Sequence, residues 1–108
     1  MNVPLPAGSG MAEIGEAFRM PFTKRMKLYQ PGFVIISAGF DSRLGDPLGH
    51  FTLTDPQFVE LTSILTEIAG EFADSRLVSV LEGGYNQKGL AQAVSSHLST
   101  LIDVASKG

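Results

Sequence analysis

Asp41 and Tyr85 each follow a short apolar run, and both have side chains that can take part in chemistry. The runs cover residues 33–36 and 77–81 and are typical of parallel strands buried on both faces of a sheet. In open parallel sheets, ligands and metals bind beyond the carboxyl ends of the strands, where the loops form a crevice. We therefore expect both residues to lie at one edge of one sheet.

The residue types leave the roles at this edge open. The carboxylate of Asp41 could bind a metal ion, or it could accept nearby backbone N–H groups, as Asp often does after a strand. Tyr85 could donate its hydroxyl to a ligand or sit half-buried with the hydroxyl in water. Gly83 and Gly84 precede it and would let the backbone turn sharply close to a ligand. We expect Asp46 to hold its loop through hydrogen bonds to the backbone.

Three helices must support these strands. The apolar spacing predicts a helix over residues 11–29 that Pro21 kinks or interrupts, with Ser9 as a candidate N-cap. Residues 54–57, Thr-Asp-Pro-Gln, fit a capping box for a second helix. Asn86 is the predicted N-cap of the last helix.

The helices show apolar faces, and the order of elements indicates the fold. The second helix has an apolar face at Phe58, Leu61, Leu65, Ile68 and Phe72, and the last one at Leu90, Val94, Leu98, Leu101 and Ile102. With a β-like segment at residues 2–5, the order is β-α-β-α-β-α. This order predicts an α/β fold with parallel strands and helices on the faces.

Composition excludes several classes of protein. The chain has 108 residues, of which 44% are hydrophobic and 18% charged, as in an ordinary globular domain. A net charge of −3 gives no basic footprint for direct nucleic-acid binding. No apolar run is long enough to span a membrane. The sequence contains no cysteine, which excludes disulfides and fits a reducing compartment, and we predict a cytoplasmic protein.

Several motifs occur together in a characteristic order. They are Asn2-Val-Pro-Leu-Pro6, Ser37-Ala-Gly-Phe-Asp-Ser42, Gly45-Asp-Pro-Leu48 and Leu81-Glu-Gly-Gly-Tyr-Asn86. Together they resemble the closing part of the histone deacetylase, acetylpolyamine amidohydrolase and acetoin-utilisation superfamily, about the last third of its catalytic domain. The resemblance implies a three-layer arginase-deacetylase fold, of which residues 1–108 would be a single partial domain.

The resemblance also implies roles for individual residues. The family holds one Zn²⁺ with two aspartates and one histidine, and Asp41 matches the second aspartate. Tyr85 matches the tyrosine that donates to the reacting carbonyl, and Gly83 and Gly84 lie beside it on the substrate side. Leu48 matches an apolar residue of the acyl tunnel, although packing under the loop is an equally good reading. The implied substrates are acetylated lysine or acetylated amines.

The matched region lacks the family's His-His pair and its Asp-x-His ligand motif. His50 falls on no ligand position, and His97 is predicted at the boundary of the last helix's apolar face. We therefore expect the isolated chain to be inactive and to bind Zn²⁺ weakly. The alternative is a non-catalytic interaction or assembly module that self-associates through exposed strand edges. A small nucleotide-binding α/β domain is a third reading.

Overall fold

Two parallel strands form the sheet of the computed structural model, which describes residues 1–107. Strand β1, Val34–Ala38, pairs with β2, Leu77–Leu81, so that Val34 lies opposite Leu77 and Ala38 opposite Leu81. Helix α3, Asp55–Phe72, connects them, and α4, Gln87–Lys107, follows β2 and packs against α3. The predicted α/β class with parallel strands is confirmed.

A helical stretch precedes the sheet and changes its winding at Pro21. It consists of α1, Met11–Ala17, a π-helical turn, Phe18–Phe22, and α2, Thr23–Tyr29. Proline has no N–H to donate to the preceding turn, and a wider π turn absorbs that loss without ending the helix. Thr23 Oγ1 donates to the Phe18 carbonyl at 2.7 Å within this turn. The predicted interruption is confirmed.

Two of the three predicted helix starts are confirmed. Gln57 Oε1 accepts the N–H of Thr54 at 3.0 Å, and Asn86 Oδ1 accepts the N–H of Gly89 at 2.9 Å. The prediction for Ser9 is wrong. Its hydroxyl donates to the Pro6 carbonyl at 2.7 Å, and α1 begins after Gly10.

Residues 2–5 do not form the predicted strand. A strand exists as regular structure only when a neighbouring backbone offers it a ladder of hydrogen bonds, and within the described residues the sheet contains only β1 and β2. The N-terminal segment is held further along, where Gly8 donates to the His50 carbonyl at 2.7 Å and Thr52 to the Ser9 carbonyl at 3.0 Å.

The buried face of α4 matches the predicted one only in part, since Leu90 and Val94 pack against the core. Small and polar residues face the core: Gly89, Ala93, His97 and Thr100. Leu98 and Ile102, predicted to be buried, are exposed. Gly89 and Ala93 allow a close approach of α4 to its neighbours, and His97 faces inward where Thr62 and Ser79 bond its ring. The predicted face of α3 is confirmed, since Phe58, Leu61 and Ile68 are buried.

Helices cover one face of the sheet within residues 1–107. Ile36 and Ala38 pack into the core, whereas Ile35 is 68% exposed, and Val78 and Val80 on the same face are also exposed. An apolar groove of about 520 Å³ runs beside β1 and reaches Leu5 and Phe18. The structure thus leaves an apolar sheet surface open to solvent, and the predicted burial of both strand faces is not observed within residues 1–107.

None of the described helices combines the length and the apolar character that crossing a bilayer requires.

Candidate active site

Asp41 lies just past the carboxyl end of β1, against the turn that follows β2. The N–H of Phe40 donates to the Gly83 carbonyl at 2.8 Å, which fixes the two strand ends to each other. A methyl group placed on Gly83 would lie 3.0–3.1 Å from the carboxylate atoms of Asp41. The absence of a Cβ at Gly83 therefore makes room for the carboxylate.

Asp46 connects the loop after β1 to Tyr85. Its Oδ1 accepts the N–H groups of Leu48 and Gly49, both at 2.9 Å, and its Oδ2 accepts the N–H of Tyr85 at 2.8 Å. Partial desolvation acts to raise the pKa of Asp46, but these N–H donors outweigh it and leave the pKa below its ordinary value. The expected loop-holding role is observed for Asp46, and it extends to the turn that carries Tyr85.

The other predicted site residues lie around the junction where the loop after β1 meets the turn after β2. Tyr85 is 53% exposed, and Leu48 is 65% exposed on the same loop that Asp46 holds. Gly84 has φ of +135°, where a side chain is strained, and a methyl group there would stand 2.6 Å from Leu90 Cδ1. The structure thus brings all five predicted site residues to the loops at one end of the two strands.

His97 is buried, contrary to the predicted boundary position. Its Nδ1 lies 2.8 Å from Thr62 Oγ1 and its Nε2 lies 2.8 Å from Ser79 Oγ, so it joins α3, β2 and α4. The Thr62 hydroxyl already donates to the Phe58 carbonyl at 2.6 Å. That assigns the ring proton of the neutral form to Nδ1 and leaves Nε2 to accept from Ser79. Burial lowers the pKa of His97.

Arg43 also connects elements of the site, although its sequence context predicts no such role. Its guanidinium donates to both carboxylate oxygens of Asp55, at 2.7 and 2.9 Å, and to Gln92 Oε1 at 2.7 Å. The hydrogen bond from Arg43 lowers the pKa of Asp55. The partners are 12 and 49 residues away in sequence, and no local pattern indicates such a contact.

The donor set for a metal ion is incomplete. No three His, Asp or Glu side chains cluster within residues 1–107 in a way that could hold a metal ion. A catalytic zinc site uses three protein ligands and keeps one position open. Asp41 has a suitable carboxylate at the strand edge, yet the described residues do not form a zinc site by themselves.

The chain resembles known proteins in both sequence and structure. Residues 1–101 match the histone deacetylase domain. The chain is 39% identical over 103 residues to type-2 histone deacetylase 1 of Dictyostelium discoideum, covering 95% of the chain and 7% of that relative. It is 38% identical over 103 residues to the human polyamine deacetylase HDAC10, covering 94% of the chain and 15% of that protein.

Solved structures show the same arrangement. The crystal structure of the HDA15 HD domain superimposes with a TM-score of 0.83 at 30% identity, covering 92% of this chain and 27% of that one. The histone deacetylase Clr3 gives a TM-score of 0.85 at 29% identity, covering 95% of this chain and 17% of that one. The chain thus spans a minor part of the relatives that it matches.

Proposed function

Because the chain belongs to the histone deacetylase family, we propose that it forms the part of a zinc-dependent deacetylase-type amidohydrolase that carries Asp41 and Tyr85. The reaction would be hydrolysis of an N-acetyl amide on lysine or on a polyamine. One observation supports this proposal most: the Asp41 carboxylate and the turn that carries Tyr85 lie together at the carboxyl ends of β1 and β2. The hydrogen bond from the Phe40 N–H to the Gly83 carbonyl fixes these two ends to each other.

The two residues have complementary roles in this proposal. Asp41 is one protein ligand of the ion, and the remaining ligands lie outside the described residues. A bound Zn²⁺ would act as a Lewis acid on the amide carbonyl and its attacking water. Tyr85 donates its hydroxyl to the oxygen that becomes negative, and one such donor is typically worth about 2.7–4 kcal/mol of barrier.

The remaining site residues shape the approach of the substrate. Gly83 lets the backbone lie close to Asp41 because it places no Cβ there, and Gly84 allows the positive φ of the turn that carries Tyr85. Leu48 offers an exposed apolar side chain beside the junction and would contact the aliphatic part of an acylated amine. Zn²⁺ binding by the 108-residue chain alone is expected to be weak, since it supplies one ligand of the three.

Two assays test the proposal. The isolated chain with added Zn²⁺ should hydrolyse neither an acetyl-lysine peptide nor an acetylpolyamine. A chimera in which residues 1–101 replace the matched segment of the HDA15 HD domain should retain deacetylase activity. In that chimera, Tyr85→Phe should lower kcat by about 10²–10³-fold, and Asp41→Asn should lower the zinc content measured by atomic absorption.

Matched variants serve as controls in the chimera. Tyr29→Phe changes an exposed tyrosine on α2, and Asp74→Asn changes an exposed aspartate in the turn between α3 and β2, so neither should alter activity or zinc content. Turnover by the isolated chain that depends on Tyr85 would contradict the proposal. So would a folded, active chimera that tolerates Tyr85→Phe.

The second candidate function is assembly with another copy of the same chain. Neither β1 nor β2 contains a charged residue or a proline, the usual devices that keep strand edges apart. The exposed face at Ile35, Val78 and Val80 adds apolar surface to those edges. We propose that the 108-residue chain by itself pairs through this surface.

Sedimentation velocity tests the assembly. Ile35→Lys should shift the chain from a dimer or larger species towards a monomer. Val59→Lys, at an exposed apolar position on α3, should leave the distribution unchanged. A monomer for the unmodified chain at high concentration would contradict self-association.

The compartment and the other partners stay predictions. We propose a cytoplasmic protein that makes no direct contact with nucleic acid or membrane. Two of the relatives are named as chloroplastic, so fractionation of expressing cells is the measurement that decides the compartment.

A further inference from the structure

The guanidinium of Arg43 is fixed on several sides. Besides Asp55 and Gln92, it donates to the Leu44 carbonyl at 3.2 Å. It also lies directly on the first turn of α4, because a methyl group on Gly89 would stand 2.7 Å from Nη1. A planar guanidinium matches a carboxylate through two parallel hydrogen bonds, which fix its orientation as well as its position.

This arrangement differs from an ordinary surface ion pair. The Arg43 and Asp55 side chains are 19% and 26% exposed, whereas the Arg19 and Glu60 pair between the π turn and α3 is 47% exposed on both sides. Exposed pairs contribute little, because water screens the charges and both side chains lose freedom when they pair. The Arg43 pair is better shielded and holds a defined geometry.

The backbone of Arg43 belongs to the turn that follows Asp41. Its N–H donates to the Phe40 carbonyl and its carbonyl accepts from Asp46, both at 3.2 Å. Its side chain reaches the start of α3 through Asp55 and the first turns of α4 through Gln92. Helix α4 begins two residues after Tyr85. Arg43 therefore joins the turn of Asp41 to the helix that follows Tyr85.

We propose that Arg43 is a positioning residue that fixes the loop of Asp41 and Asp46 relative to the turn that carries Tyr85. The inference rests on the proposed function in one respect, that Asp41 and Tyr85 are the reacting residues. Arg43 contacts neither side chain in the structure and acts through Asp55, Gln92 and the backbone of its own turn. Its effect should therefore be a change in the loop, with the sheet left intact.

Amide hydrogen exchange of the full chain, followed by ¹H–¹⁵N NMR, tests this. In Arg43→Lys the charge remains but the two-pronged bond to Asp55 is lost. The amides of Leu48, Gly49 and Tyr85 should then exchange at least about tenfold faster, while those of β1 change less than about twofold. The Tyr85 amide proton should also move upfield as its bond to Asp46 lengthens.

Arg19→Lys is the matched control, and it should leave the same loop amides unchanged. Gln92→Ala removes one contact of Arg43 and leaves the ion pair, so it should increase the exchange rates of the loop amides by a smaller factor. If the Arg43→Lys chain does not fold, Gln92→Ala is compared with Arg19→Lys instead. Loop amides that exchange no faster than in Arg19→Lys, or amides that accelerate equally throughout the chain, would overturn the inference. Since the readout needs no deacetylation, it stands or falls separately from the proposed activity.

Discussion

The N–H of Tyr85 donates a 2.8 Å hydrogen bond to Oδ2 of Asp46, across 39 residues of sequence. The same carboxylate holds Leu48 and Gly49 through its other oxygen. One aspartate thus ties the loop after β1 to the turn after β2. The placement of Tyr85 depends on this carboxylate as well as on its own strand.

Replacing Asp46 should release the Tyr85 turn. In Asp46→Ala we expect faster amide exchange at Tyr85, Leu48 and Gly49, because all three N–H groups lose their acceptor. Hydrogen–deuterium exchange with NMR detection measures this. Asp103→Ala, at an exposed position on α4, is the control. Protection that persists at Tyr85 would mean that another group holds the turn.

The lowered pKa of Asp46 predicts that acid weakens its hold on the Tyr85 turn. The pKa of Asp46 is lowered in the folded chain, so its contribution to stability is present above the ordinary value of 3.8. It is lost as the pH falls through the lowered folded value. Protection of the Tyr85 amide against exchange, corrected for the intrinsic rate, should decrease as the pH falls from 3.8 through the lowered pKa of Asp46. Asp46→Asn should abolish this pH-dependent decrease. An unaltered pH profile in Asp46→Asn would contradict the assignment.

His97 should make stability depend on pH in a higher range. Burial puts its folded pKa below the unfolded value near 6.5, so the unfolded state binds more protons between the two values. The contribution of His97 to stability is complete above the pKa of the unfolded state and is lost as the pH falls through the pKa of the folded state. Urea unfolding from about pH 7.5 to about pH 5.5 should show the decline.

Variants separate this effect from general acid sensitivity. His97→Gln should flatten the profile and lower stability by about 1–3 kcal/mol, since Thr62 and Ser79 lose a buried partner. His50→Gln, at an exposed position, should keep the wild-type slope. An equal slope in His97→Gln and the unmodified chain would exclude His97 as the source.

Gly49 should tolerate no side chain. A methyl group there would overlap the carbonyl oxygen of Asp41, which is backbone and has little room to move. Gly49→Ala should therefore destabilise the chain by about 1–3 kcal/mol, as overpacking does, measured by urea denaturation. Gly32→Ala is the control, because no atom lies within 4 Å of its added methyl group. Equal stability of the two variants would contradict the close packing at Asp41.

Replacing Ser75 by glycine should stabilise the chain. Ser75 adopts φ of +58° in the turn between α3 and β2, a conformation that costs an L-residue about 1–2 kcal/mol and glycine almost nothing. Part of the gain is offset because glycine has more freedom when unfolded. Ser75→Gly should thus raise the unfolding free energy by about 0.5 kcal/mol. Ser75→Ala should not, and a gain from alanine would point to another cause.

Features that depend on near neighbours in the chain could be predicted from the sequence. The apolar runs before Asp41 and Tyr85, the helix start at Thr54 and the interruption at Pro21 all follow from local preferences, and they agree with the structure. The family also followed from the sequence, because its motifs keep their order and spacing.

Contacts between distant parts of the chain could not be predicted, because they depend on how the elements pack. Burial of His97, the reach of Arg43 to Gln92 and the bond from Tyr85 to Asp46 link residues separated by 18 to 49 positions. The buried face of α4 also depends on this packing, since Gly89, Ala93 and His97 face inward whereas Leu98 and Ile102 are exposed. Hydrophobic spacing reports which face is apolar, but the shape of the neighbouring surface selects the face that is buried.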